Sequence, residues 1–412
     1  MTKNRTPRFF YGYAIVLSTF FIMAVMWGTH SSFGIFFKPL LAEFGWTRAV
    51  VSGAASLCLV VSCLAAIVLG RLTDKLGPRL VVTVGGCFLG LGYLLMSQIS
   101  AVWQLYLFAG VIVGIGLGAG WVPLVSPVAR WFVKKRGMMT GIVVAGVGVG
   151  IMIMPPAASW LISNYGWRLA YTIIGIVTLA SVVPAAQFLK RDPNQMGLVP
   201  YGVDEAKIDS PNLETGGFSL QEAIRTRQFW MLSAMWFCFA FSLETIFVHL
   251  VPYATDLGIS ARSAANILAI SGGVSILGGI IIGNIADRSG NRPALIITSI
   301  LFAGALIWLV VAKELRMLYL LAAIFGFGYG GLFAVESPII AKLFGLSAHG
   351  AIMGSVGVGY MIGGALGAVL AGRMFDITGS YQTAFLVSAA TSVTALILAL
   401  LLRLGGKKRG FL

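Results

Sequence analysis

Long apolar runs, separated by short polar turns, follow one another along the whole chain. Twelve of these runs are about 20 residues or longer, the length that an α-helix needs to cross a bilayer. They show no period-two alternation of apolar and polar residues, which excludes a membrane β-barrel. The pattern therefore predicts an all-α membrane protein with twelve transmembrane helices, at 12–36, 50–70, 79–99, 104–127, 138–163, 168–188, 229–254, 263–285, 293–311, 317–342, 350–372 and 382–402.

Composition supports the membrane interpretation. Apolar residues make up 58% of the 412 residues and charged residues 10%, against about 25% charged in soluble domains. Many of the 52 glycines fall inside the runs, where small residues let helices approach closely. The first run is too long for a cleavable signal peptide. The four cysteines all lie in predicted spans, so we expect no disulfide, no metal site and no cofactor.

The formal net charge of +15 reports orientation rather than a nucleic-acid partner. With the N-terminus placed in the cytoplasm, the inner loops and termini carry 22 of the 29 Lys and Arg residues, and the outer loops carry 7. This bias follows the positive-inside rule. It predicts a multi-pass protein of a bacterial-type inner (plasma) membrane, with both termini cytoplasmic and the lipid bilayer as its surroundings.

The two halves of the chain repeat with an offset of 213 residues. The turn after the second span contains Gly70, Asp74, Lys75, Gly77 and Arg79, and the turn after the eighth contains Gly283, Asp287, Arg288, Gly290 and Arg292. The repeat predicts two pseudo-symmetric six-helix bundles, 1–189 and 229–412, joined by a polar cytoplasmic linker at 190–228 that includes Asp204, Glu205, Asp209 and Glu214. Such halves enclose a site near the middle of the membrane and rock about it.

The repeated Gly-x-x-x-Asp-base-x-Gly-x-Arg turn resembles the signature of the major facilitator superfamily. The resemblance implies the major facilitator fold, with both turns acting as conformational switches. The chain further resembles the monocarboxylate porter and oxalate/formate antiporter group at residues 34–38 (GIFFK), 84–87 (VGGC), 104–106 (QLY), 130–132 (RWF) with Arg136 and Gly137, 166–168 (GWR), 325–328 (FGFG) and 372–376 (GRMFD). This kinship implies proton-coupled transport or exchange of small organic acids.

One departure from that group lies in the eighth span. The animal porters carry an Asp and an Arg one turn apart there, and the Arg holds the substrate carboxylate. Residues 270–279 of this chain contain no charge.

Two acidic residues are predicted inside the membrane, where each ionisable group costs about 2.5–3.5 kcal/mol to insert. Glu244 lies near the middle of the seventh span, at the level that the repeat gives to Ser31 of the first. Glu336 lies toward the cytoplasmic end of the tenth span, with Tyr329 on the same helical face. Both are candidates for proton coupling. The alternatives are a hydrogen bond within a helix contact for Glu244 and a salt bridge or cap near Lys342 for Glu336.

The remaining candidates are neutral or weakly basic. His249 is a candidate proton site or donor to an anion, with an interhelical hydrogen bond as the alternative. His30 is a candidate donor to a carboxylate. Trp121, Tyr329 and Tyr360 are candidate cavity residues, with packing as the alternative.

These features predict a monomeric secondary transporter, and not an enzyme, that carries a small molecule and protons by alternating access. The first hypothesis for the cargo is a small organic acid. The second hypothesis is efflux of cationic or neutral amphipathic compounds in exchange for protons. Two buried acids without a buried base favour such a cargo as much as they favour an organic acid.

Overall fold

The computed structural model describes residues 10–132, 136–202, 217–345 and 348–402. For Asp74, Ala129, Arg136 and Gly137 it describes the backbone alone. The basic residues Lys3, Arg5 and Arg8, the linker acids Asp204, Glu205, Asp209 and Glu214, and the C-terminal tail after Leu402 lie outside the described residues. Below, the inner side is the one that the charge bias predicts to be cytoplasmic, and the outer side is the opposite one.

The first half forms six spans. Span 1 is Gly12–Ser31 followed by Phe33–Phe44, span 2 is Arg48–Leu76 and span 3 is Pro78–Met96. Span 4 is assembled from shorter pieces, Val102–Leu105, Tyr106–Ile112, Val113–Gly118 and Val122–Trp131. Spans 5 and 6 share one continuous helical stretch, Arg136–Ala186, which is interrupted at Gly166, where φ is 79°.

The second half repeats this arrangement. A short helix, Leu220–Ile224, is capped by the Ser219 side chain and precedes span 7. The last six spans are Arg227–Asp256, Ala261–Ser289, Asn291–Leu309, Leu315–Phe344, His349–Thr378 and Gln382–Leu401.

Eleven helical stretches in the described ranges are long and apolar enough to cross a membrane. The stretch Met138–Ala186 has 49 residues, about 74 Å at 1.5 Å per residue, more than twice the hydrocarbon thickness of about 30 Å. It therefore supplies two spans, and the prediction of twelve transmembrane helices is confirmed.

The repeated turns have the same geometry in both halves. Gly77 and Gly290 have φ of 86° and 91°, a conformation that glycine adopts without strain, and a new helix begins at the next residue. Arg79 Nε donates to Gln187 Oε1 at 2.7 Å, and Arg292 Nη2 donates to the Leu400 carbonyl at 3.2 Å. Each arginine thus ties the start of the third helix of its half to the end of the sixth, at the same offset of 213 residues.

On the outer side, the GWR sequence at residues 166–168 fixes the first half. Gly166 lets the chain reverse between spans 5 and 6. Trp167 Nε1 then donates to Glu43 Oε2 at 2.6 Å, and the Arg168 guanidinium pairs with the same carboxylate. Arg168 also donates to the Ile99 carbonyl at 3.2 Å. The outer ends of spans 1, 3 and 6 are therefore joined through Glu43.

We expect Glu43→Ala to lower the thermal unfolding midpoint of the detergent-solubilised protein by a few degrees. The substitution leaves the Trp167 and Arg168 donors without their shared acceptor, but the pair is partly exposed and solvent weakens it. A fluorescence-based unfolding scan measures the shift. Glu314→Ala, which removes an exposed carboxylate from the outer side of the other half, is the control. An unchanged midpoint for Glu43→Ala would contradict this role.

The two halves touch along three pairs of spans, namely 1 with 7, 2 with 11 and 5 with 8. The helices approach closely at Gly34, where an added Cβ would lie 2.7 Å from the Phe247 carbonyl oxygen. They do so again at Gly372, where it would lie 2.9 Å from the Arg48 carbonyl oxygen, and at Gly148, 2.8 Å from that of Gly272. These contacts lie in the outer and middle parts of the membrane.

Five glycines in the inner parts of spans 5, 8 and 11 face open space. At each of them an added Cβ would meet no atom of the described residues within 4 Å; they are Gly141, Gly283, Gly350, Gly354 and Gly357. The close contacts between halves on the outer side and the open glycine faces on the inner side together describe an inward-open arrangement.

Span 4 is irregular where it passes the middle of the membrane. Its outer part contains a π-helical turn, Tyr106–Ile112, and the helix is interrupted between Gly118 and Val122. The freed carbonyl of Gly120 accepts a hydrogen bond from Trp27 Nε1 of span 1 at 3.0 Å. The interruption thus occurs where the chain contacts span 1, on the side facing the other half.

Candidate functional site

Glu244 lies where both halves meet. It is 6% exposed, and its side chain points from span 7 toward span 11. An added Cβ at Gly364 of span 11 would lie 2.8 Å from Glu244 Cγ and 3.3 Å from Leu59 Cδ1 of span 2. Gly364 therefore leaves the room that the Glu244 side chain occupies, and span 2 of the first half closes over it.

Glu244 has one hydrogen-bond partner among the described side chains. The hydroxyl of Tyr360 donates to Glu244 Oε1 at 3.3 Å. The thiol of Cys58, on span 2, is also within electrostatic reach of the carboxyl. No base of the described residues pairs with Glu244. Because an unpaired charge in such a place is very unfavourable, this carboxyl is suited to alternate between a protonated and a briefly ionised state.

Tyr360 belongs to an aromatic cluster that fills the second half. Its ring centroid lies 6.3 Å from those of Trp236 and Phe239 and 6.1 Å from that of Phe333. Tyr329 is buried in the same region, 6.4 Å from Phe333, and its hydroxyl donates to the Ser271 carbonyl at 3.3 Å. The rings hold Tyr360 in place and leave its hydroxyl free to bond with Glu244.

Glu336 lies one helical turn below Phe333, toward the inner side. Its side chain is half-buried, and it makes no hydrogen bond or ion pair with the described residues. The salt bridge with Lys342, predicted as the alternative to a role of Glu336 in proton coupling, is not formed in this arrangement. Phe333, one turn above Glu336, lies with its ring centroid 6.1 Å from that of Tyr360. We call Glu244, Tyr360 and Glu336 the central acidic cluster.

His249 lies outside this cluster, in the closed outer part of span 7. Its ring is fully buried, with Nε2 2.8 Å from the Ala368 carbonyl and Nδ1 3.1 Å from the Tyr381 hydroxyl. A carbonyl only accepts, so Nε2 carries a proton and, in the neutral ring, Nδ1 accepts from Tyr381. Both nitrogens are thus used by the protein itself, which corresponds to the interhelical alternative for His249.

The contacts of His249 continue into a network that the sequence analysis did not predict. Arg48 of span 2 donates to the Tyr381 hydroxyl at 2.6 Å and to Asp256 Oδ2 at 2.8 Å. Its guanidinium also lies 3.7 Å from the ring centroid of Phe375. Asp256 is shared with Lys38 at 2.8 Å.

Asp376 completes the network by accepting from the backbone N–H groups of Arg48 and Ala49, at 3.0 and 2.8 Å. It thereby caps the first turn of span 2, where a carboxylate is favoured. We call Lys38, Arg48, His249, Asp256, Asp376 and Tyr381 the outer polar network. Lys38 and Arg48 belong to the first half, and the other four residues of the network belong to the second half. The network therefore holds the outer ends of the two halves together.

A signal for this network was present in the sequence. The outer ends of spans 1 and 2 carry bases, and the outer ends of spans 7 and 11 carry acids. Opposite charges at equivalent ends of opposite halves are the pattern that such a closure requires.

The first half contains the other candidates. His30 is half-buried and lines a small cavity with Thr29, Cys58, Tyr93 and Tyr171. The Trp121 ring, at the interruption of span 4, lies 5.9 Å from that of Trp27, which in turn lies 5.9 Å from the His30 ring. Ser31 is buried and donates to the Gly28 carbonyl of its own helix at 2.9 Å.

The structure thus distributes the predicted residues over three places. Glu244, Glu336, Tyr360 and, nearby, Tyr329 meet in the second half; His30 and Trp121 face the middle from the first half; and His249 joins the outer polar network. Span 2 connects the first two places, because its Cys58 lines the His30 cavity and its Leu59 lies beside Gly364, next to Glu244.

Two six-span halves, closed on one side and open on the other around buried and nearly uncharged middle surfaces, define the class of alternating-access secondary transporters. The family model of the Major Facilitator Superfamily matches residues 15–288 and 237–410. The chain belongs to the major facilitator superfamily.

Curated relatives are similar over nearly the whole chain. Monocarboxylate transporter 13 of Rattus norvegicus is 31% identical over 390 residues, which cover 94% of this chain and 88% of the relative. Monocarboxylate transporter 2 of Homo sapiens is 27% identical over 400 residues, covering 93% and 84%.

Among solved structures, the fold is similar to that of a bacterial homolog of the human lysosomal transporter Spinster, in an inward-facing and unoccupied conformation. The TM-score is 0.73 at 16% identity, covering 96% of both chains. The chain is accordingly a multi-pass membrane transporter of the major facilitator type, similar in sequence to monocarboxylate transporters.

Proposed function

We propose that this protein carries a small organic acid of the monocarboxylate class across the membrane together with a proton. The observation that carries the proposal is the similarity to monocarboxylate transporters, which extends over more than nine-tenths of the chain. The two halves, 1–189 and 229–412, rock about the middle of the membrane, and the linker connects them on the inner side.

The proton accompanies the acid because no Lys or Arg of the described residues offers an anion a fixed positive charge at the middle of the membrane. The acids and the histidine in the middle and inner parts of the described spans are Glu244, Glu336 and His30. A carboxylate crossing with one proton makes a neutral load, which lowers the electrostatic cost of the passage. Donors for its oxygens are available in His30 and in the Trp121 indole.

Uptake into proteoliposomes tests the proposal. With the outside more acidic than the lumen, we expect labelled lactate, pyruvate or acetate to accumulate above its outside concentration, and a protonophore to abolish the accumulation. The luminal pH, followed with a trapped dye, should fall as the acid enters. Empty liposomes give the rate of passive entry of the neutral acid, and accumulation no faster than in these liposomes would contradict the assignment.

A second function is favoured by one specific observation. Glu244 and Glu336 are two acids without a base of the described residues beside them, and such a pair suits a cationic or neutral amphipathic cargo exported in exchange for protons. The same proteoliposomes, loaded with a lipophilic amine, distinguish the two functions, because proton-driven extrusion of the amine without acid uptake supports the second.

For either cargo, we infer an inner plasma membrane of the bacterial type, with both termini in the cytoplasm and a monomer as the working unit. The excess of Lys and Arg on the inner side supports this inference. Neither function requires a cofactor.

A further inference from the structure

The central acidic cluster is arranged along the membrane normal. At about 1.5 Å per residue, Glu244 lies about 25 Å from the inner end of span 7 at Arg227, and Tyr360 about 16 Å from the inner end of span 11 at His349. By the same count Glu336 lies about 12 Å from the inner end of span 10 at Phe344. The phenol of Tyr360 extends upward from this level to Glu244. The three groups thus follow one another from the middle of the membrane toward the inner side.

Access to the two acids differs. Glu244 is covered on the outer side, because span 2 lies over it and the outer polar network closes the space above. Glu336 is half-buried on the inner side, where the glycine faces of the helices lie open. A proton on Glu244 can therefore reach the inner side in this arrangement through the groups below it, and not by the way it entered.

We propose that the Tyr360 hydroxyl passes the coupled proton from Glu244 to Glu336, from which it leaves to the inner side. This inference rests on the proposed function, since it supplies a path for the proton that accompanies the cargo. When Glu244 is protonated, its O–H donates to the Tyr360 oxygen and the Tyr360 hydroxyl turns toward an ionised Glu336, the reverse of the hydrogen bond in the present arrangement. One O–H bond then forms at Tyr360 with the proton from Glu244, while its existing O–H bond breaks and that proton moves to Glu336, directly or over one water. The phenol is neutral before and after the step, Glu244 is left ionised, and Glu336 becomes protonated.

The surroundings of Tyr360 are suited to such a step. Glu244 bonds to its hydroxyl, and Glu336 and Tyr329 lie on the same helix as Phe333, whose ring centroid is 6.1 Å from that of Tyr360. No base of the described residues forms an ion pair with either carboxyl. The Tyr329 hydroxyl is already bonded to the Ser271 carbonyl, so it does not compete for either carboxyl. Contacts with Trp236, Phe239 and Phe333 fix the Tyr360 ring and keep its oxygen beside Glu244 Oε1.

The test compares Tyr360→Phe with the wild-type protein in proteoliposomes. Phe retains the ring and its packing and removes only the hydroxyl. We expect acid-driven accumulation of labelled lactate, and the matching proton entry, to slow by about a hundredfold or more, the scale on which a positioned proton-transfer group acts. Counterflow exchange of lactate at equal pH should stay near the wild-type rate, because exchange requires no net release of the proton.

Two further variants make the outcome specific. Glu336→Gln should reproduce the effect of Tyr360→Phe, and the double variant should be no slower than either single one, because both act on one path. Tyr253→Phe is the matched control, since its hydroxyl donates to the Ala312 carbonyl at the outer end of span 7, far from both acids. It should leave both readouts unchanged.

Wild-type accumulation by Tyr360→Phe would overturn the proposal, and so would an equal loss of exchange and accumulation, which indicates a role in binding or packing. Failure of the proposed function looks different, because the wild-type protein itself then carries no acid. If the wild-type protein instead exchanges protons for a lipophilic amine, the effect of Tyr360→Phe can still be measured as a change in the proton flux that accompanies the amine.

Discussion

Replacing Glu244 with Gln is expected to abolish acid-driven accumulation of the cargo while exchange continues. The Gln side chain has nearly the same shape, fits the space beside Gly364, and its carbonyl can still accept the Tyr360 hydrogen bond. It has no carboxyl proton to gain or release. The halves can therefore rock in both directions with cargo bound, but no net proton moves with the cargo. Accumulation under a pH gradient and counterflow at equal pH, measured on the same vesicles, give the two rates.

Glu314→Gln is the control for this substitution, because Glu314 is an exposed carboxylate at the outer start of span 10. It should accumulate cargo as the wild-type protein does. Undiminished accumulation by Glu244→Gln would remove Glu244 from the proton path. Glu244→Asp should retain part of the accumulation, because the carboxyl is kept but lies farther from Tyr360.

Removing the guanidinium of Arg48 is expected to open the outer side. Arg48→Met keeps an unbranched side chain over the Phe375 ring, but it loses the bonds to Tyr381 and Asp256. Hydrogen bonds to charged groups contribute about 1.5–3 kcal/mol, so the balance between inward-open and outward-open protein should shift by about tenfold or more. Transport should slow as well, because the inward-open arrangement is then less populated.

The buried thiol of Cys58 reports this shift. It is 3% exposed in the present arrangement, and span 2 carries it away from span 11 when the outer side opens. In a variant where Ser replaces Cys63, Cys87 and Cys238, a membrane-impermeant maleimide added from the outer side should label Cys58 faster after Arg48→Met. Lys313→Met removes an exposed outer base that has no part in the network, and it should not change the labelling rate. Equal rates for the Arg48→Met variant and its parent would contradict the closing role of Arg48.

The sequence was sufficient for the fold because each span is a local property of the chain. The predicted run 317–342, for example, corresponds to a helix Leu315–Phe344. The first helix is longer than predicted, since it continues past residue 36 to Phe44. Hydropathy finds the part of a helix inside hydrocarbon, and the outer turns of this one are stabilised instead by the partners of Lys38 and Glu43.

Contacts between distant residues were beyond the same reasoning. Arg48 meets Asp256 and Tyr381 only because the two halves pack together, and nothing near Arg48 in the chain marks it as a contact between them. The placement of His249 depends on the same packing: its polar stripe indicated a protein-facing side but not that Ala368 and Tyr381 would occupy both nitrogens. The acids were found from sequence because their burial is costly wherever they point, yet the hydrogen bond between Tyr360 and Glu244 required the structure.

The open glycine faces on the inner side have a consequence for how the transporter returns to its other arrangement. Helices whose facing surfaces lack side chains can come together and part again without interlocked groups having to be withdrawn. Leaving the present arrangement, in contrast, requires several directional bonds of Arg48, Lys38 and Asp376 to break together. The two conformational changes of the cycle thus depend on different interactions. Ionic strength on the outer side should change the rate at which the outer side opens and leave the closing of the glycine faces unaffected.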